Sequence, residues 1–197
     1  MADGTSAQRT ATYDDVLAAP PHMIAEVIDG ELRLQPRPAK PHAAASSALG
    51  EELGPPFKRG RGGPGGWILL NKPELHLDAD ILVPDIAGWR RERMPAILAD
   101  EPFFTLAPDW VAEILSPSTG QHDRTDKLQI YHREGIAWVW LVDPLQRTLE
   151  VRHRSNSAWT LRGTWRDEQR PRAEPFDAIE LELGILWADV VLPPDRR

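Results

Sequence analysis

The chain contains no cysteine. Disulfides, thiolate zinc sites and a cysteine nucleophile are therefore excluded, and any metal must be held by carboxylate, imidazole, carbonyl or water. Donors of that kind suit magnesium or manganese. Also missing is any apolar run near the ~18 residues that a membrane helix requires. The opening MADGTSAQRTATYDD has neither the basic nor the apolar region of a secretory signal, so the expectation is a soluble, cytoplasmic protein with no membrane partner. Nor is there an excess of positive charge. The formal net charge of −7 argues against a broad nucleic-acid-coating surface but leaves room for a local groove. Basic residues do cluster in Lys58-Arg59-Gly60-Arg61 and Trp89-Arg90-Arg91-Glu92-Arg93, either as solvated loop charge or as a meeting point for phosphates.

What is present suffices for one packed domain. The chain has 197 residues, 41% of them hydrophobic, enough to build a sizeable core. The expected organisation is a polar tail over residues 1–11, a single domain over residues 12–190 and a short C-terminal tail over residues 191–197. Tyr13 to Ala19 reads as a short helix capped by Thr12 and stopped by Pro20-Pro21. Ala25 to Ile28 and Glu31 to Leu34 flank Asp29-Gly30, a tight-hairpin signal. His42 to Leu53 reads as a helix ending at Gly54-Pro55. The glycine-rich stretch Lys58 to Gly66 predicts a flexible loop, and its spacing is not that of a phosphate-binding Walker loop.

Extended segments follow at Trp67 toward Leu77, Ile81 to Trp89 and Trp110 to Leu115, rich in branched and aromatic residues as buried strands are. A helix over Asp123 to Glu134 and a strand over Trp138 to Val142 complete a strand–helix–strand crossover. Thr148 to Arg154 and Ala158 to Trp165 predict a second hairpin, and Ala178 to Leu183 a last strand. The fold class is α/β, with a central mixed sheet flanked by helices and a hairpin toward each end.

Acids on apolar strand faces carry the functional argument. Alternation places Ile81, Val83 and Asp85 on one face of one strand, and Val111, Glu113 and Leu115 on one face of another. Burying an unpartnered carboxylate is costly, so each is expected to meet a cation, a hydrogen-bond network or solvent at a strand end. A shared divalent cation satisfies both. On the following helix Arg124, Lys127 and Tyr131 share a face through i+3 and i+4 spacing, and Lys127 there can orient water or neutralise charge on a phosphate. The alternative for these acids is a structural salt bridge. Of the eight tryptophans, most are expected in the core, with Trp89 the one placed for contact with bases.

Taken together, Val83-Pro84-Asp85-Ile86-Ala87, Ala107-Pro108-Asp109-Trp110-Val111-Ala112-Glu113-Ile114-Leu115-Ser116-Pro117-Ser118-Thr119, Asp126-Lys127-Leu128 with Tyr131, and Trp138-Val139-Trp140-Leu141-Val142-Asp143-Pro144 resemble the signature of a bacterial family. Its members are predicted restriction endonucleases of the PD-(D/E)XK superfamily, formerly a domain of unknown function. The resemblance runs from about Tyr13 to Trp187. It implies a restriction-endonuclease-like core and a metal-dependent endonuclease that hydrolyses DNA phosphodiester bonds as a homodimer, with Mg2+ or Mn2+ as cofactor. Pro84-Asp85 matches the first acidic motif and Glu113 the second. Leu115 stands where the usual lysine would be, and the resemblance implies that Lys127 replaces it from the helix.

Metal ligands by this reading are Asp85 and Glu113, with Glu74 as a further candidate. Glu26, His42 and Tyr131 are supporting candidates. The bland reading makes His42 a cap or surface imidazole, and Glu26 and Glu74 exposed acids. Two other functions compete: a catalytically silent module of the same fold that binds protein or nucleic acid, and a glycoside hydrolase built on the two carboxylates. Neither a sugar platform nor a role for the helical lysine supports the latter.

Overall fold

The structure is a computed structural model that describes residues 9–117 and 125–191. Helix α1 spans Tyr13–Leu17, ending just short of the expected Ala19, and the Asp15 carboxylate closes its first turn by accepting from Thr12 N at 2.8 Å. Strands β1 (Met23–Ile28) and β2 (Glu31–Pro36) form the first hairpin. Its turn holds Asp29 and Gly30 at φ 50° and 79°, the left-handed pair a two-residue turn demands. Helix α2 runs over Lys40–Leu53, with Pro41 in its first turn. It does not stop at Gly54: the chain winds on through a wider π turn, Gly54–Lys58, closed by Arg59 N donating to Gly54 O at 3.1 Å.

Strands β3 (Trp67–Asn71), β4 (Leu75–Leu77), β5 (Asp80–Leu82), β6 (Ile86–Arg90) and β7 (Trp110–Ile114) come next. Helix α3 (Asp126–Arg133), β8 (Trp138–Asp143), β9 (Thr148–Arg154), β10 (Trp159–Arg166) and a short helical turn α4 (Leu183–Leu186) complete the order. The described strands form two sheets: a four-stranded sheet β2-β1-β5-β4 and a six-stranded sheet β10-β9-β8-β7-β6-β3. All neighbours are antiparallel except β7 and β8, which are parallel and joined through α3, as the crossover predicts.

Two expected strands are each divided. The segment from Trp67 toward Leu77 breaks at Lys72-Pro73, where β3 ends in the larger sheet and β4 begins in the smaller one. The segment from Ile81 to Trp89 breaks at Val83-Pro84-Asp85, where β5 ends in the smaller sheet and β6 begins in the larger one. Each break holds a proline, which has no N–H to continue a ladder. The expected last strand over Ala178 to Leu183 is absent. Leu181 N and Leu183 N reach Pro171 O and Gln169 O at 2.9 and 3.2 Å, too little pairing for a ladder. Ser118, Thr119, Asp123 and Arg124 lie outside the described residues.

The larger sheet buries both faces. On one side Trp110, Ala112, Ile114, Trp140 and Val142 pack against Leu49 and Leu53 of α2 and Leu183 and Leu186 of α4. On the other, Val111, Leu115, Val139 and Leu141 pack against Ile28, Leu75 and Leu82 of the smaller sheet and Leu128 and Ile130 of α3. Glu113 has the parity of Val111 and Leu115, so it points into this second layer, between the two sheets and α3.

Candidate active site

The site forms where the chain crosses between sheets. Strand β7 is buried along its whole length, and its ladder with β6 ends at Ile86 opposite Ala112. The next amide with that orientation, Ile114 N, is taken instead by the Asp85 carboxylate, donating to Oδ2 at 2.8 Å. Asp85 thus sits off the strand and completes the ladder with its side chain. Its expected alternation with Ile81 and Val83 does not hold, because Pro84 divides the strand before it.

Asp85 is 6% exposed and has two further partners. Lys72 Nζ donates to Oδ1 at 2.7 Å, and His42 Nε2 donates to Oδ2 at 2.9 Å. Burial opposes the charged form of Asp85, but the His42 hydrogen bond and the charges of His42 and Lys72 outweigh it, holding the carboxyl below its ordinary pKa. His42 reaches this position because His42, Ala45, Leu49 and Leu53 form the buried face of α2, at the spacing that places residues on one side of a helix. It is 7% exposed, so it is not a surface imidazole. Its Nδ1 is buried and without a hydrogen-bond partner among the described residues.

Glu113, 2% exposed, faces α3. Tyr131 Oη donates to its Oε1 through a very short hydrogen bond, and Lys127 Nζ lies 3.4 Å from the same oxygen. Burial first, and then the Glu113 charge, hold the Tyr131 phenol well above its ordinary pKa, so it remains a donor. Lys127 is 2% exposed and Glu26 0%; they meet at 2.9 Å. Glu26 has the parity of Ile28 on β1, and its other contacts are Val83 N and Gln35 Nε2, both at 2.8 Å. Neither is the solvated residue that its type alone implies.

The structure therefore brings together Asp85, Glu113, Lys127, Glu26, His42 and Tyr131. Asp85, Glu113, His42, Lys72 and Lys127 line one cavity of about 230 Å3 with Gln35, Arg37 and Ser116. Glu74 lies apart: its carboxylate pairs with His76 Nε2 at 2.8 Å, and it is not in the cavity wall. Among the described residues no group of three or more His, Asp or Glu side chains stands ready to hold a metal ion. Trp89 is 0% exposed and donates to Leu106 O at 2.8 Å, so it belongs to the core and cannot stack on a base. The residue missed in the sequence is Lys72. Its signal was Pro73, which ends the strand and turns the chain toward Asp85.

No helix among the described residues is long and apolar enough to cross a membrane. No curated protein matches the chain. The fold is similar to a solved structure described as "a putative nuclease belonging to DUF820 from Anabaena variabilis ATCC 29413", with a TM-score of 0.68 over 90% of this chain and 98% of that one. Their sequences are 24% identical, a likeness that establishes the fold alone. The family model described as "Putative restriction endonuclease" matches residues 11–185, nearly the whole of the two-sheet structure, and the chain belongs to that family.

Proposed function

We propose that the chain is a divalent-cation-dependent endonuclease acting on DNA, with Asp85 and Glu113 as metal ligands and Lys127 as the basic group supplied from α3. The observation that carries this reading is the cavity lined at once by Asp85, Glu113, Lys127, Lys72 and His42. It joins acids from two separate strand ends to three nitrogen-bearing side chains. The donor chemistry fits magnesium or manganese. Mg2+ commonly takes only one or two carboxylates and fills its remaining positions with water and phosphate, so a cluster of three protein ligands is not required. When bound, such an ion activates water and stabilises the departing oxygen.

The protein's own groups have separable tasks. Ile114 N and His42 hold the Asp85 carboxylate at the cavity wall. Tyr131 turns Glu113 by donating to Oε1. Lys127, between Glu26 and Glu113, places positive charge beside the acids, where it can offset charge developing on a scissile phosphate. Two copies, one per strand, are the simplest arrangement for cutting a duplex.

A second reading, a catalytically silent module that keeps the fold for binding, is favoured by the fact that both oxygens of Asp85 already accept from protein donors. The deciding experiment is cleavage of supercoiled and single-stranded DNA with Mg2+ or Mn2+, beside Asp85→Ala, Glu113→Ala and Lys127→Ala variants shown to be folded. Loss of cleavage in the carboxylate variants supports the nuclease. Absence of both cleavage and calorimetric metal binding in the unaltered protein moves the assignment to the silent module.

A further inference from the structure

The two basic clusters of the sequence lie about 30 residues apart, yet the fold joins them. Trp67 pairs with Arg90 in the β3–β6 ladder, and Arg91 N donates to Gly66 O at 2.9 Å. The loop between is compact. Arg61 N and Gly65 N both bond to the π turn at 2.8 Å, and a Cβ at Gly63 would lie 2.4 Å from Pro56 Cβ, so only glycine permits that approach. Arg59 and Arg61 therefore stand on a folded loop rather than a loose one, and Arg91 is tied to its end at Gly66. All three are exposed, and among the described residues none of them makes an ion pair. Exposed Arg9, Arg93, Arg162 and Arg170 each pair with a carboxylate, whereas exposed Arg37 and Arg166, like these three, form no ion pair among the described residues.

A groove of about 480 Å3 lies beside this loop. Its walls include Lys58 and Arg59 together with Asn71 and Ile86, the residues adjoining Lys72 and Asp85 in sequence, while Arg61 and Arg91 lie outside that lining. The groove follows β3, the edge strand of the larger sheet. Lys58 Nζ covers one of that edge's carbonyls, Leu69 O, at 2.9 Å. From Asn71 to Trp67 the strand rises about 14 Å.

We propose that this groove seats a single nucleic-acid strand, with its phosphodiester backbone held by Arg59, Arg61 and Arg91 while one linkage enters the cavity at Asp85. This rests on the nuclease reading above and extends it from the reaction to the path of its substrate. Each copy takes one strand rather than both strands of a duplex, because the cavity that receives the linkage is only about 230 Å3, below the usual size of a pocket for a drug-sized ligand. The acid Glu51 lies in the same groove wall and opposes the phosphates, which provides a test of opposite sign.

Binding of labelled single-stranded DNA, and of the RNA of the same sequence, is measured by fluorescence anisotropy across a salt series in EDTA, so that no cleavage intervenes. In the triple variant Arg59→Gln/Arg61→Gln/Arg91→Gln, the slope of log K against log salt falls by about 2, each single-strand phosphate contact contributing about 0.7. Glu51→Gln tightens binding of the same strands without altering the arginines. Loss of slope with either strand supports the groove and identifies the sugar it accepts. An unchanged slope with both strands, or no effect of Glu51→Gln, overturns it, as does equal binding of blunt duplex DNA that the triple variant retains. The two proposals fail separately. Cleavage with arginine-independent binding removes the groove and keeps the nuclease, whereas arginine-dependent binding without cleavage removes the nuclease and keeps the groove.

Discussion

Lys72 Nζ lies 2.7 Å from Oδ1 of Asp85, and Lys72 N donates to Asp85 O at 3.0 Å. The two residues thus tie together the points at which the chain leaves the larger sheet and returns to it. Lys72 holds φ at 48°, a left-handed conformation that non-glycine residues adopt infrequently and that recurs at functional turns. Its ammonium occupies an oxygen that a divalent cation would also use.

Competition for that oxygen is the first prediction. Lys72→Met removes a cation in contact with a proposed ligand, and Mg2+ or Mn2+ affinity measured by calorimetry rises about tenfold, equivalent to about 1.4 kcal/mol. An affinity equal to that of the unaltered protein would mean that Lys72 and the metal do not share Asp85.

The Glu26–Lys127–Glu113 group makes a stability prediction. Because Lys127 and Glu26 are both buried, Glu26→Leu leaves a buried cation short of a partner and costs about 3–5 kcal/mol by denaturant unfolding. Adding Lys127→Met to Glu26→Leu recovers part of that loss, since the stranded charge is gone. A double variant no more stable than the single one contradicts this account.

Tyr131→Phe removes the hydroxyl donor from Glu113 Oε1 without emptying the core. The expected cost is about 1–3 kcal/mol, the range for leaving a buried acceptor short of a donor. A loss below about 0.5 kcal/mol would show that Glu113 is satisfied without the phenol.

Glu52 supplies a pH dependence. Burial first, and then the like charges of Glu182 and Glu51, raise its pKa. A raised carboxyl contributes stability that is present below its unfolded-state pKa and is lost as pH rises through the folded-state value. Glu52→Gln cancels that loss, so its advantage over the unaltered protein appears above the carboxylate range and vanishes in acid. Solvent screening keeps the gain below about 1 kcal/mol. Thermal unfolding from pH 4 to pH 8 checks the sign, and a gain confined to acid pH refutes it.

Much of the architecture was legible along the chain because its signals are local. Asp29-Gly30 specifies its own turn, alternation in Trp110 to Leu115 assigns Glu113 to the face of Val111, and the α3 spacing puts Lys127 and Tyr131 on one side. The divided strands were not legible in that way. Pro73 and Pro84 mark where a ladder must stop, but which sheet the next residues join depends on partners far away in sequence. The same limit applied to burial. Glu26, His42 and Lys127 are residue types that usually face water, and their burial became visible only when β1, α2 and α3 closed around Asp85 and Glu113.

The sequence by itself determined the absence of thiol chemistry, the hairpins, the crossover and the strand face on which Glu113 lies, since each depends on residue type and short spacing. Only the tertiary structure decided that Lys72 meets Asp85, that Trp89 lies in the core and that the two arginine clusters share one edge. Those relationships follow from strand order and register, which bring segments tens of residues apart within hydrogen-bond distance and which no local periodicity encodes.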